Sequence, residues 1–376
     1  MLLNRSITLP MMEDLKHKMV FLGGPRQVGK TTFVTHLLPK AKFQYLNWDI
    51  DEQRSLILKK KFSNQPLLVL DEIHKYKKWR NYLKGIFDAI KTGFYPEKQI
   101  LVTGSARLDL YRFGGDSLQG RYHYWRMLPL SFLEIGGKTK ADLENLFHYG
   151  GFPEPFSMQS EKESRRWSKE YQIRFIREDL RDLESVQDLG TFELLVNRLP
   201  ENVGGPLSIN SLREDLQVAH KTVSKWLKIL EKLYSIFRIS PMGGPKIRAV
   251  KKEQKHYHFD WTLIPSESLR FENMIAVHLL KYVYWLEDSE GRDVELRYFR
   301  DTDSREVDFV VLDKGKPILF VECKWGDQNL SPQLKYLSLK YPKVPAYQVH
   351  MQGKEDYQSL EGIRVCSAVE LVKNLI

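Results

Sequence analysis

The stretch that decides the fold of this chain is Gly24-Pro25-Arg26-Gln27-Val28-Gly29-Lys30-Thr31-Thr32. Its first eight residues fit the pattern G-x-x-x-x-G-K-[ST] without a mismatch. The apolar segment Lys18 to Leu22 precedes it and is typical of a buried strand, and a helical pattern from about Lys30 to Leu38 follows it. In this context, backbone N–H groups and the positive end of a helix surround the phosphates of a nucleotide. The sequence therefore predicts an ATP-binding loop over residues 24–32.

Carboxylates that suit this loop follow a second apolar segment, Leu67 to Leu70, as Asp71 and Glu72. We expect Lys30 to reach the β- and γ-phosphates and the Thr31 hydroxyl to bind Mg²⁺. Asp71 is expected to hold the Mg²⁺ shell, and Glu72 to polarise the attacking water. These residue types in this order predict Mg²⁺-dependent ATP hydrolysis.

A further strand, Gln99 to Thr103, ends in Gly104 and Ser105. A hydroxyl at that tip can contact the attacking water or the γ-phosphate, and Ser105 is favoured over Thr103. The alternative is a hydroxyl that only caps the next turn. Because near-continuous apolar strands here alternate with helical patterns, the N-terminal region is predicted to be α/β, with a parallel sheet covered on both faces.

The combination of loop, Asp-Glu strand and Gly-Ser strand tip resembles the AAA+ ATPases. It is most similar to a bacterial and archaeal group that begins with G-P-R-Q-V-G-K-T-T. Further motifs of that group stand here as Gly104-Ser105-Ala106, Gly120-Arg121, Leu128 to Glu134, and Gly150 to Glu154. The resemblance implies that Arg121 is an arginine finger, which completes the site of a neighbouring subunit in a homo-oligomer. Arg107 and Arg126 are rivals for this role, and each of the three arginines has the alternative of a plain surface salt bridge.

The middle of the chain, residues 197–245, predicts a winged helix-turn-helix. A short helix follows Ser208, a second helix runs from about His220 to Leu233, and an apolar strand comes after it. Lys221, Lys225 and Lys228 recur along the second helix, which in such domains enters the major groove of DNA. Lysines on a solvated helix face, or a surface that contacts protein, are the alternatives.

Carboxylates recur in the C-terminal region. Asp308 and Glu322 lie on the two arms of a predicted hairpin, Lys324 shares a strand face with Glu322, and Glu272 lies in a helical stretch upstream. Such a set can hold Mg²⁺ and activate water against a phosphodiester. The order resembles the restriction-endonuclease-like fold, with Val307 where the motif usually has proline. The alternative is a Lys–Glu pair on an edge hairpin, or an inherited nuclease fold that no longer cuts.

The composition fits a cytoplasmic, DNA-associated protein. Lys and Arg number 58 against 48 Asp and Glu among 376 residues, a formal charge of +10 that favours nucleic acid as a partner. The two cysteines are too few for a disulfide framework. No run approaches the roughly 18–20 apolar residues that cross a bilayer, and the N-terminus lacks the pattern of an export signal, so neither membrane insertion nor secretion is expected.

We therefore expect four parts: an AAA+ P-loop core over residues 1–135, a helical lid or linker over 136–196, a winged helix-turn-helix over 197–245, and a restriction-endonuclease-like α/β domain over 246–376. The predicted function is ATP hydrolysis coupled to action on branched or damaged DNA, in repair or recombination. DNA would be recognised by structure rather than by sequence, and the last domain would bind or cut it. The alternative is a nucleotide-dependent switch that docks protein partners and has an inactive nuclease-like domain.

Overall fold

A computed structural model describes residues 4–37, 42–104, 118–174, 188–243 and 254–376. The contacts divide into two compact units. The first unit comprises Met1–Leu130 and Asp288–Glu290, and the second comprises Ser131–Glu287 and Gly291–Ile376. The finer boundaries expected at residues 136, 197 and 246 stay predictions.

The first unit is built on a five-stranded parallel sheet. Its strands are β1 (Met19–Gly23), β2 (Phe43–Asn47), β3 (Leu67–Asp71), β4 (Gln99–Thr103) and β5 (Tyr122–Arg126). Its helices are α1 (Thr8–Asp14), α2 (Lys30–Leu37), α3 (Asp51–Leu58) and α4 (Trp79–Lys91). The strand order is β2-β3-β4-β1-β5, and each neighbouring pair is parallel. The predicted α/β fold with a parallel sheet is confirmed for this unit.

The sheet forms because its central strands are apolar throughout. All five residues of β1 and of β3 are buried, as expected for strands covered on both faces. On α4, Trp79, Leu83 and Ile86 recur at helical spacing and are buried in the core that the sheet shares with its helices. Since parallel strands end at one edge, this packing brings the residues that follow β1, β3 and β4 to the same edge of the sheet.

The second unit begins with helices and ends in a large mixed sheet. Its helices are α5 (Lys140–Tyr149), α6 (Pro153–Met158), α7 (Glu161–Arg174), α8 (Leu189–Arg198), α9 (Ile209–Leu216), α10 (His220–Lys232), α11 (Glu267–Glu290), α12 (Pro332–Lys340) and α13 (Ala368–Val372). The last three residues of α11, Asp288–Glu290, are counted with the first unit. Its strands are β6 (Ile236–Pro241), β7 (Lys255–His258), β8 (Val294–Arg300), β9 (Glu306–Asp313), β10 (Lys316–Lys324), β11 (Ala346–His350), β12 (Tyr357–Gln358) and β13 (Ile363–Ser367). The sheet order is β12-β13-β11-β10-β9-β8-β6-β7.

Helices α9 and α10, joined by a short turn, lie where the sequence predicts a winged helix-turn-helix, an assignment that stays a prediction. Gln217, with φ of 54°, ends α9 in the left-handed conformation, and α10 begins at His220. Trp226 and Leu230 on α10 are buried in the core. The antiparallel pair β6–β7 follows directly.

The predicted C-terminal hairpin is confirmed. Strands β9 and β10 pair antiparallel through a turn at Lys314 and Gly315, and β10 also pairs parallel with β11. Cys323 and Cys366 are free thiols. Within the described ranges, no helix has both the length and the apolar character that crossing a membrane requires.

Candidate functional site

The loop after β1 has the backbone that the motif predicts. Gly24 has φ of 133°, and a Cβ placed there would lie 2.2 Å from the carbonyl oxygen of Met127, so only glycine fits. Gly29 also has positive φ, 92°, where the chain turns into α2. The close approach of Gly24 to the segment after β5 therefore fixes the path of the loop.

Two cations support this loop through its carbonyl groups. Lys30 Nζ donates to the carbonyl oxygens of Gly24 and Pro25, at 2.9 and 2.6 Å. The buried guanidinium of Arg5 donates to the carbonyl oxygens of Val28 and Leu128. Sequence reasoning missed Arg5, because it lies 23 residues before Val28 and belongs to no motif. A side chain outside the motif thus contributes to its conformation.

Asp71, at the end of β3, faces the start of α2. Thr31 Oγ1 donates to Asp71 Oδ2 at 3.3 Å, and Thr103 Oγ1 donates to Asp71 Oδ1 at 2.6 Å. The Tyr45 hydroxyl also donates to Oδ2, and burial together with this carboxylate raises the pKa of Tyr45. A hydroxyl and a carboxylate beside a phosphate loop are the oxygen donors that Mg²⁺ prefers, so the residues present fit this ion. Of the contributors, Tyr45 gave no signal in the sequence.

Glu72 adopts an unusual backbone conformation for a residue with a side chain. Its φ is 55°, and its N–H donates to the carbonyl oxygen of Thr103 at 2.9 Å. The carboxylate lies 3.4 Å from Lys75 Nζ and 3.6 Å from His74 Nε2. Strained backbone of this kind is concentrated at functional sites. Ser105, the other predicted contributor, and Arg107 lie outside the described residues.

Arg121, expected as the arginine finger, is held by α4. Its Nε donates to Asp88 Oδ1 at 2.9 Å, and its Nη2 donates to Asp88 Oδ2 at 3.2 Å. The hydrogen bond from Arg121 holds the pKa of Asp88 below its ordinary value. The side chain of Arg121 is 30% exposed, whereas that of Arg126 is 7% exposed. Arg121 is therefore the more accessible of the two described arginines.

A stripe of lysines runs along α10. The exposed residues Lys221, Lys225, Lys228 and Lys232 follow one another at intervals of four, three and four, which places them on one helix face. Val223 and Leu227, on other faces, are fully buried. The core orients this helix so that its basic face points to solvent. We call these four residues the lysine stripe.

The four residues predicted in the C-terminal region lie together. Lys324 Nζ lies 2.9 Å from Glu322 Oε1, and the backbone N–H of Asp308 donates to Glu322 Oε2 at 3.4 Å. Asp308 Oδ2 accepts from the N–H of Cys323 at 2.8 Å. Glu272, on α11, joins them through a residue that the sequence analysis did not single out.

That residue is Lys255, on β7. Its side chain is only 1% exposed, and its Nζ lies 3.9 Å from both Glu272 Oε1 and Asp308 Oδ1. The same ammonium lies 2.6 Å from Glu306 Oε1. Tyr257, two residues along the same strand, donates to Glu272 Oε1 at 2.8 Å. Lys255 and Tyr257 lie two residues apart and therefore share one face of β7.

Electrostatics within this cluster follow from burial. Burial, and then the negative charge of Asp308, raises the pKa of Glu272 to about 8 and that of Glu322 to about 7. Burial opposes charge on Lys255, but Glu272, Asp308 and Glu306 outweigh it and raise its pKa. Among the described side chains, no group of three or more His, Cys, Asp or Glu has an arrangement that could hold a metal ion.

Comparison with family models divides the chain into three matched segments. Residues 16–136 match a model described as an AAA domain. Residues 140–270 and 269–371 match two models that are each described as a domain of unknown function. A restriction-endonuclease-like assignment for the last segment does not come from these matches.

Two relatives that align with most of the chain are described as uncharacterized proteins. An uncharacterized protein of Methanocaldococcus jannaschii is 22% identical, over 89% of this chain and 80% of its own length. An uncharacterized protein of Mycobacterium tuberculosis is 26% identical, over 90% of this chain and 82% of its own length.

Solved structures match weakly. A RuvB variant of Thermotoga maritima has a TM-score of 0.32 and 15% identity, covering 63% of this chain and 90% of its own. The Aeropyrum pernix ORC1 protein in complex with DNA has a TM-score of 0.33 and 13% identity, covering 74% of this chain and 95% of its own. Scores at this level carry no functional information. Residues 16–136, which contain the parallel sheet and the phosphate loop, are thus similar to an AAA domain.

Proposed function

We propose that this protein hydrolyses ATP at the loop of residues 24–32 and uses the reaction to act on DNA. The convergence of Thr31 and Asp71, 3.3 Å apart beside the loop, is the observation that carries the proposal. These two side chains come from different elements, α2 and β3, and supply the oxygen donors that a Mg²⁺–ATP complex needs.

Each residue of the site has a distinct task in this proposal. Lys30 neutralises phosphate charge at the mouth of the loop, and Thr31 and Asp71 hold Mg²⁺. The ion supplies charge stabilisation on the β- and γ-phosphate oxygens when it is bound. Glu72 orients the attacking water. Its carboxylate lies 3.4 Å from Lys75 Nζ.

Arg121 acts between subunits in the same proposal. Its guanidinium would leave Asp88 and stabilise charge on the phosphoryl group bound to a neighbouring copy of the chain. The partial exposure of the Arg121–Asp88 pair supports this role, since an exposed ion pair is weak and is readily exchanged for another partner. A homo-oligomer follows from this assignment.

DNA is the partner that the charge distribution favours. The formal charge of the chain is +10, and the lysine stripe presents four cations along one exposed face of α10. Contacts from lysine to phosphate fix position on DNA but carry no sequence information. We therefore propose recognition of DNA structure rather than of base sequence. The carboxylates near Lys255 take part in no step of this proposal.

The test is ATP turnover by the full chain with single-stranded, duplex and four-way-junction DNA, and with none. Lys30→Ala serves as the blank. A several-fold rise in turnover that depends on DNA structure is the expected result.

Two other outcomes contradict parts of the proposal. Turnover that all these DNAs leave unchanged would favour a nucleotide-dependent switch that docks protein partners. If no condition gave turnover that depends on Lys30, the proposal that the protein hydrolyses ATP would itself be wrong.

A further inference from the structure

Lys255 occupies the centre of the acidic cluster in the second unit. Its side chain is almost fully buried, and its ammonium group lies within 4 Å of carboxylate oxygens of three residues on two elements: Glu272 on α11, and Glu306 and Asp308 on β9. The centroid of the Tyr298 ring lies 5.3 Å from Nζ, so an aromatic face covers the ammonium group on another side. The lysine is enclosed by groups that attract a cation.

The carboxylates around it are already engaged. Glu272 Oε1 accepts from Tyr257, Asp308 Oδ2 accepts from a backbone N–H, and Glu322 binds Lys324 and the N–H of Asp308. A divalent ion needs several carboxylate or carbonyl oxygens that converge on one point at about 2.0–2.6 Å. An ammonium between Glu272 and Asp308 repels such an ion and takes its place in space. The donor set therefore does not fit a bound Mg²⁺.

We infer that Lys255 is the resident cation of this cluster, and that its ammonium group takes the place of a divalent metal ion between Glu272 and Asp308. The cluster then holds β7, α11 and β9 together by internal charge pairing, and it is independent of metal. This inference concerns the second unit alone and does not rest on ATP hydrolysis at the phosphate loop.

Two lysines face four carboxylates here: Lys255 and Lys324, against Glu272, Glu306, Asp308 and Glu322. Removal of the Lys255 charge leaves the acidic side chains without their central partner. A variant with an uncharged side chain of similar length should therefore gain affinity for a divalent ion, because the same carboxylates then attract an external cation.

The experiment is a Mn²⁺ titration of the full-length, nucleotide-free protein, with free Mn²⁺ followed by its electron paramagnetic resonance signal. The parent is compared with Asp308→Asn, Lys255→Met and the double variant Lys255→Met/Asp308→Asn. Lys316→Met, which removes an exposed lysine at the start of β10, the strand paired with β9, is the matched control. Only binding that is lost with Asp308→Asn is assigned to the cluster.

The parent and Lys316→Met are expected to show no Mn²⁺ binding that depends on Asp308. Lys255→Met should bind Mn²⁺ at least tenfold more tightly than the parent, and the double variant should lose this gain. If Lys255→Met does not fold, the parent and Asp308→Asn still decide the matter, and equal Mn²⁺ binding by these two supports the inference.

Three results would overturn it. One is Asp308-dependent Mn²⁺ binding by the parent. Another is a folded Lys255→Met variant that binds no more Mn²⁺ than the parent does. The third is phosphodiester cleavage by the parent that needs Mn²⁺ or Mg²⁺ and disappears in Glu322→Ala. ATP turnover, measured on the same samples, tells these results apart from a failure of the ATP-binding site.

Discussion

The hydroxyl of Thr103 donates a hydrogen bond of 2.6 Å to Oδ1 of Asp71, and both residues are buried. The two lie opposite each other in the paired strands β3 and β4. Thr31 and Tyr45 donate to the other oxygen of the same carboxylate. Three hydroxyls from three elements therefore orient Asp71, which makes its direction a property of the sheet rather than of its own strand.

This relationship predicts that Thr103→Val lowers ATP turnover, although Thr103 lies outside the predicted ATP-binding loop. The substitution keeps the shape but leaves a buried carboxylate oxygen without its donor, at a cost of about 1–3 kcal/mol. If that cost falls on the transition state, kcat drops about tenfold while KM for ATP changes little. Steady-state kinetics measure kcat and KM for ATP, and Thr92→Val, at an exposed position, is the control. A kcat equal to that of the parent would contradict the role.

Gly24→Ala is predicted to disrupt the phosphate loop. The new methyl group would lie 2.2 Å from the Met127 carbonyl, at a φ that alanine rarely adopts. Backbone strain and overpacking together should cost at least about 3 kcal/mol, measured by urea unfolding. Gly85→Ala, in the middle of α4 with open space around the position, should instead stabilise by about 1 kcal/mol. Equal effects of the two substitutions would refute the steric explanation.

Arg121 is predicted to act across a subunit boundary. Arg121→Ala should lower turnover by about 10³-fold, the lower end of the range for an arginine finger. Mixing Arg121→Ala with Lys30→Ala should restore part of the activity, because each variant supplies what the other lacks. Asp88→Ala separates a role of Arg121 in ATP hydrolysis from a role in the ion pair alone, since it removes the ion pair but leaves the arginine. An Asp88→Ala variant as inactive as Arg121→Ala, with no complementation in the mixture, would reduce Arg121 to a structural partner.

The lysine stripe is predicted to bind phosphates of DNA. Each neutralised phosphate contributes about 0.9 to the slope of log affinity against log salt concentration. Lys225→Gln and Lys228→Gln should each reduce that slope by about 0.9 and weaken binding to all sequences alike. Fluorescence anisotropy at several salt concentrations measures the slope. Lys343→Gln, an exposed lysine on a distant part of the sequence, is the control and should leave it unchanged.

Acid is predicted to destabilise the second unit through His278. Its Nε2 accepts from the Phe132 N–H at 3.1 Å, its Nδ1–H donates to Met274, and burial lowers its pKa from 6.5 to about 4. Since the unfolded chain binds the proton more readily, the free energy of unfolding falls as the pH drops from 6.5 towards 4, by about 1.4 kcal/mol per pH unit in that window. His278→Gln should remove this contribution.

The comparison needs the difference between variant and parent at each pH. Buried His256 and His258, whose pKa values burial lowers to about 4 and 3, add to the same trend. Glu272 and Glu322 act with the opposite sign. Because their pKa values are raised, they reduce the free energy of unfolding as the pH rises from 4.5 towards 8 for Glu272 and towards 7 for Glu322. Urea unfolding at pH 6.5, 5.5 and 4.5 gives the slopes. Parallel curves for His278→Gln and the parent would contradict the prediction.

The features that the sequence predicted well are local or periodic. The phosphate loop is a contiguous motif with a strand before it and a helix after it, so its conformation follows from a few neighbours. Glu322 and Lys324 share a face because strand side chains alternate, and Asp308 lies beside them because the hairpin turn at Lys314 sets the pairing.

What the sequence did not predict depends on contacts between distant segments. Lys255 reaches Glu272, Glu306 and Asp308 only because β7, α11 and β9 come together in the folded unit, and a single lysine in an aromatic strand carries no such information. Tyr45 meets Asp71 through the lateral pairing of β2 with β3. Strand order is a global property, and no local pattern encodes it.

The bond from Arg5 to the loop separates two ways of defining where this domain starts. The match to the AAA family begins at residue 16, yet the guanidinium that holds the Val28 carbonyl enters from upstream of that point. A fragment trimmed to the boundary of family similarity would keep every motif residue and lose a buried support beneath them. For this protein the segment that matches the family is shorter than the segment that supports the loop.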